Sequence, residues 1–98
     1  MGYLRKKMNV ICRTAREEQI YREIATREGF TWSGGKTLLE QRNVVAPCAF
    51  QIDYFGDGCV TYVKELEYKM PENFTTVEAS DLFHNELIAR RIKYGDTT

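Results

Sequence analysis

Long apolar runs are the first thing this 98-residue chain lacks. Its longest, such as Val44-Val45-Ala46, fall far short of the roughly 18–20 residues that a membrane-spanning helix requires. The start Met1-Gly2-Tyr3-Leu4-Arg5-Lys6-Lys7 is basic, but no apolar core follows it, so it is not expected to be a secretory leader. Lys6 stands where a myristoylation signal wants Ser or Thr, so Gly2 is not expected to carry a lipid. Net charge is also missing: 14 basic residues meet 14 acidic ones. A domain that grips nucleic-acid phosphates usually carries a marked basic excess, so direct nucleic-acid binding is disfavoured. Histidine occurs once, at position 84, and the three cysteines, Cys12, Cys48 and Cys59, are odd in number and widely spaced. That excludes the disulfide framework of a small secreted domain. Reduced thiols packed in strands are expected instead, which leaves the sequon Asn73-Phe74-Thr75 without consequence and places the chain in the cytoplasm.

What is present reads as one globular domain, with 43% hydrophobic and 29% charged residues. Met8-Asn9-Val10-Ile11-Cys12-Arg13 reads as a strand with Met8, Val10 and Cys12 on one face. Thr14 with Glu17 three residues on forms a capping box, opening a helix over 15–28 whose apolar stripe is Ile20, Tyr21, Ile24 and Ala25. Gly29 ends it, because glycine enters the left-handed conformation without a steric cost. Phe30-Thr31-Trp32 is expected as a short strand, Ser33-Gly34-Gly35-Lys36 as a turn, and 37–47 as a loop. Phe50, Ile52 and Tyr54 alternate with Gln51 and Asp53, then Gly56-Asp57-Gly58 turns the chain into Cys59-Val60-Thr61-Tyr62-Val63, a hairpin. Residues 65–73 read as a solvated connection, Thr75–Glu78 as one more short strand. A last helix begins near Ser80 or Asp81, with Phe83, Leu87, Ile88 and Ile92 on one side. The expected class is α+β, a short, mostly antiparallel sheet with two helices in the order β-α-β-β-β-α, a single sheet layer packed by helix. Residues 1–7 are expected to be a flexible segment, 8–93 the domain and 94–98 a disordered tail.

No motif in the chain completes a catalytic or metal site. Ser33-Gly34-Gly35-Lys36-Thr37 imitates the end of a phosphate-binding loop, but that motif needs Gly at position 30, where Phe30 stands. Cys12, Cys48, Cys59 and His84 could in principle hold zinc, yet no two have the close spacing that nucleates such a site. His84 with a cysteine is formally a base and a nucleophile, and a solvated surface histidine is the simpler expectation. No metal, cofactor or catalytic residue is therefore assigned, and the chain is not expected to be an enzyme.

Aromatic residues are the unusual inventory: one Trp, six Tyr and five Phe. On the hairpin, Phe50, Ile52 and Tyr54 are expected on one face and Phe55, Val60 and Tyr62 on the other. If a helix covers only one face, the rest is a protein-binding surface, unless the last helix, the 37–47 loop or a second copy of the chain covers it. The stretch Glu28-Gly29-Phe30-Thr31-Trp32-Ser33-Gly34-Gly35-Lys36, together with Glu78-Ala79-Ser80-Asp81-Leu82-Phe83, resembles a pattern in small phage- and prophage-encoded accessory proteins. The resemblance implies a host-takeover or anti-CRISPR-like inhibitor that binds and occludes a bacterial host complex, and it supplies no catalytic residues. The expected contact residues are Trp32, Tyr54, Phe55 and Tyr62 as anchors, Lys36 on the turn beside them, and Asp53, Asp57, Glu65 and Glu67 as phosphate mimics or partners for basic protein grooves. The alternative is a nucleic-acid-binding accessory module, zinc-stabilised or not, using Arg5, Lys6, Lys7 and Arg13 at one end and Arg90, Arg91 and Lys93 at the other.

Overall fold

The computed structural model describes residues 2–32, 34–39, 45–67 and 69–94, with 90–94 as helix backbone only. Its elements are β1 (Met8–Cys12), α1 (Ala15–Arg27), β2 (Cys48–Ile52), β3 (Val60–Val63), β4 (Thr75–Glu78), α2 (Ala79–Leu82) and α3 (His84–Tyr94). The four strands form one sheet in the order β3-β2-β1-β4. Both β1–β2 and β2–β3 are antiparallel, whereas β1 and β4 run parallel. The fold is α+β. Among the described residues no helix is long and apolar enough to cross a membrane.

α1 is fixed by its ends. Thr14 is extended, and its hydroxyl accepts the Glu17 amide at 3.2 Å, while the Glu17 carboxylate accepts the Arg13 amide at 2.9 Å. At the far end Gly29, at φ 88°, lets the Gly29 and Phe30 amides reach the carbonyls of Thr26 and Ala25, the paired closure of a Schellman motif. Ile20, Tyr21, Ile24 and Ala25 are buried, and the Tyr21 ring stacks on Phe50 of β2 with centroids 4.3 Å apart and planes 7° off parallel. Such a pair contributes about 0.5–1.5 kcal/mol beyond its buried area. The stripe rests on Met8, Val10, Cys12, Cys48, Phe50 and Ile52, joined by Leu38, Val60, Ala79 and Phe83.

The other sheet face is closed as well. Asn9, Ile11, Ala49 and Gln51 alternate with the core positions and are still 8% exposed or less. A polar row crosses all four strands there. The Thr61 hydroxyl donates to Gln51 Oε1 (3.1 Å), Gln51 Nε2 to Asn9 Oδ1 (2.9 Å), and Asn9 Nδ2 to Thr76 Oγ1 (3.3 Å). Because β3 and β4 lie at opposite edges and run in the same direction, connection 64–74 has to cross the sheet and return along its length. Leu66 and Met70 within it are half-buried.

Several expectations change. The register pairs Phe50 with Tyr62 and Ile52 with Val60, so these residues share the core face, and Val60 and Tyr62 do not lie on the other face of the sheet as expected. The long loop 53–59 sets this register, and a one-residue difference in pairing reverses every side chain. Phe30–Trp32 is no ladder strand; it makes isolated bridges, Thr31 to Thr37 and Trp32 to Val60. The last helix is two, α2 and α3, parted at Phe83, whose side chain is fully buried. Ile88 lies off the buried stripe, 42% exposed. The N-terminal segment expected to be flexible is docked: the Tyr3 and Leu4 amides donate to the Glu28 carboxylate at 2.8 and 3.0 Å, and Leu4 joins the core. Of the tail, residues 95–98 lie outside the described residues, as do Ser33 and 40–44.

Candidate binding surface

The loop joining β2 to β3 departs from Ile52 with Asp53 in the left-handed region, φ 67°. A non-glycine residue holds that conformation only when its surroundings compensate, and here they do so several times. Asp53 N–H donates to the Cys59 carbonyl at 2.9 Å, and the Gly56 amide donates to the Asp53 carbonyl at 3.2 Å. Asp53 Oδ1 accepts the Gly58 amide at 2.6 Å, and Asp57 Oδ1 accepts the Cys59 amide at 3.0 Å. The other non-glycine residue with positive φ among the described ones is Lys7, φ 62°. Its ammonium donates to the Asp53 carbonyl at 2.9 Å and lies 3.4 Å from Asp53 Oδ2. The two strained residues therefore hold one another. The Gly58 amide, and after it the Lys7 charge, keep the Asp53 carboxyl below its ordinary value against a desolvation effect in the other direction.

An aromatic group stands on this hydrogen-bonded base. Tyr54 meets Phe55 edge to face at 5.1 Å and Phe74 at 5.8 Å, while Lys7 Nζ lies 5.4 Å above the Phe74 ring. Phe55 itself is 72% exposed, the most exposed large hydrophobic side chain among the described residues. Asp53, Tyr54, Phe55 and Asp57 are thus brought together, and Phe74 and Lys7 join them from chain positions that sequence spacing does not connect. The one available signal for Phe74 was its place directly before β4.

The remaining expected contact residues lie elsewhere. Trp32, expected as an exposed anchor, is only 3% exposed and packs edge-on against Tyr62 at 5.9 Å, within the core. It cannot meet a partner without leaving that core. Lys36 is exposed on a separate tight turn, closed by the Gly35 amide on the Trp32 carbonyl at 2.8 Å. Tyr62 is 37% exposed. Glu65 and Glu67 are exposed beyond the far end of β3, about 13 Å along the strand from the loop.

Among the described residues, the basic side chains at the two ends of β1 do not form one patch. Lys7 precedes β1 and Arg13 follows it, so they lie about 20 Å apart along the strand, and Arg13 makes a bidentate pair with Glu78 at 2.9 Å on both contacts. The side chains of Arg90, Arg91 and Lys93 lie outside the described residues. Among the described residues no three His, Cys, Asp or Glu side chains converge to hold a metal ion. Cys59 closes the loop beside Lys7, whereas His84 lines an open groove of about 560 Å³ with Thr14, Glu17, Ser80, Leu87 and Ile88, at the opposite end of β1. No family model matches the chain, and neither a curated protein nor a solved structure does.

Proposed function

We propose that the chain is a non-enzymatic protein-binding module that works by steric occlusion, of the kind that small phage-encoded inhibitors present to a bacterial host or defence complex. The observation that carries the reading is Phe55: a large apolar side chain, 72% exposed, on a loop whose backbone is already immobilised by Asp53, Asp57 and Lys7. Exposing it costs the free protein apolar hydration, and holding it still lowers the entropy lost on binding. Those are the properties of an interface anchor. Asp57 beside it suits a basic groove. The test is affinity capture from bacterial lysate with the intact chain and with Phe55→Ala. A stoichiometric protein retained by the first and lost by the second is the expected result. Capture of no partner, or capture indifferent to Phe55, would count decisively against the proposal.

A further inference from the structure

Cys12 and Cys48 are direct partners in the β1–β2 register. Both side chains lie on the helix-covered face, fully buried in the same core cluster. Directly opposed residues of an antiparallel pair have Cα atoms roughly 4.5–5.5 Å apart, inside the roughly 4.4–6.8 Å span of disulfides. Their Cβ atoms stand about 4.5–5.5 Å apart, so closure to the roughly 3.8 Å of a typical disulfide asks for an approach of about 0.7–1.7 Å. The position allows it, because Cys12 is the last residue of β1 and Cys48 the first of β2. Closing the pair draws together two strand ends rather than the middle of a ladder. The thiols are free, and the binding surface described above, at the other end of β1, makes no use of them.

We infer that Cys12 and Cys48 are a redox pair, closing to a cross-strand disulfide by exchange with a low-molecular-weight disulfide such as oxidised glutathione. In the first step one cysteine sulfur attacks the glutathione disulfide, forming a mixed disulfide and releasing one glutathione thiol. In the second the other cysteine attacks the protein-bound sulfur, the cross-strand S–S bond forms, and the second glutathione leaves as its thiol. The two protons lost by the protein equal the two S–H groups gained by glutathione, and two electrons pass from the protein to the small disulfide. In the folded chain burial pushes the Cys48 thiol up to about 11, with Glu18 adding and Arg22 and Lys64 opposing. Burial, with the neighbouring Cys48, drives the Cys12 thiol higher still. Both sulfurs are inaccessible in the folded chain, so exchange proceeds through opening of the sheet end. The product ties the two central strands together across the 13–47 segment.

The test uses Cys59→Ser, which leaves only this pair, refolded from urea in a reduced and oxidised glutathione buffer. The expected product is lighter by two hydrogen atoms in intact mass. Its folding equilibrium constant exceeds that of the reduced form by roughly 30- to 1,000-fold, read as a higher urea midpoint. A product that stays reduced, or carries only glutathione adducts, overturns the inference, as does a cross-linked form with a lower urea midpoint than the reduced one. Should Cys59→Ser not fold, peptide mapping of the unmodified chain under the same buffer decides between a Cys12–Cys48 linkage and none.

Discussion

Replacing Gln51 by Ala tests whether the polar row across the sheet specifies the fold. Gln51 is 1% exposed and makes three contacts: its amide nitrogen donates to Asn9 Oδ1 at 2.9 Å and to the Ala49 carbonyl at 3.1 Å, and its oxygen accepts the Thr61 hydroxyl at 3.1 Å. A made hydrogen bond contributes about 1 kcal/mol net, and a buried acceptor left without a partner costs about 1–3 kcal/mol. Thr61 is half-exposed and can turn to water, whereas Asn9 is 3% exposed and its Oδ1 would have no replacement. The expected loss is therefore about 3 kcal/mol, a large share of the roughly 5–15 kcal/mol that holds a domain folded. Asn9→Ala should cost a similar amount for the reciprocal reason. Combining the two leaves neither group stranded, so the double variant should be less destabilised than the sum by about 1–2 kcal/mol. Urea unfolding followed by circular dichroism, with m unchanged across the four proteins, measures the cycle. A Gln51→Ala cost below about 1 kcal/mol, or singles that add within about 0.5 kcal/mol, would refute the claim that these bonds are buried and mutually dependent.

Thr14→Ala removes the hydroxyl that accepts the Glu17 amide and should lower stability by about 1 kcal/mol in the same assay; no change would mean that Glu17 alone secures the helix start. Phe55→Ala should leave stability within about 0.5 kcal/mol, while Trp32→Ala, which empties a core position, should cost about 3–5 kcal/mol. Equal effects of the two would reverse the assignment of one as anchor and the other as core. Two carboxyls lie below their ordinary values in the folded chain, Glu78 through the Arg13 guanidinium and Asp53 through the Gly58 amide and Lys7. Depressed folded values mean that their contribution is complete above the usual carboxylate range and is lost as pH falls through the folded values. Stability should thus hold from neutrality to about pH 5 and decline below it, with a shallower decline in Asp53→Asn plus Glu78→Gln. An acid limb identical in that double variant would show that other groups govern it.

How much of this was legible in the sequence depends on the range of the interactions. Thr14, Glu17 and Gly29 act within one helical turn, so α1 could be read almost to its end residues: the structure closes it at Arg27, with Glu28 as cap. β1 and β4 were visible from their β-branched and alternating residues. The hairpin was found, but not which way its second strand faced. That depends on how loop 53–59 is spent, and no local pattern encodes it. Trp32 was misplaced for a related reason. An aromatic beside a Gly-Gly turn reads as exposed, and what buries it is Phe50, Val60 and Tyr62, brought up by strand pairing from 18 to 30 positions away.

The proposed binding surface was half visible for the same reason. Tyr54, Phe55 and Asp57 could be found because turn chemistry and an unpaired aromatic are local signals. Lys7 and Phe74 could not, since their contacts to Asp53 and Tyr54 span the sheet from one strand end to another. Yet those distant residues supply the contacts that tie the exposed loop to the sheet. Without Lys7, Asp53 would lose both the ammonium on its carboxylate and the donor on its carbonyl, and its left-handed backbone would have fewer contacts opposing its relaxation. Phe55 would then sample many positions, and the entropy of ordering it would fall on the binding step. Lys7→Ala should accordingly weaken partner capture while leaving Phe55 itself untouched, and rescue by Lys7→Arg would tie the effect to the cation. Capture by Lys7→Ala at the strength of the intact chain would show that the loop is rigid without its distant support, leaving Phe55 as an anchor that owes nothing to the sheet beneath it.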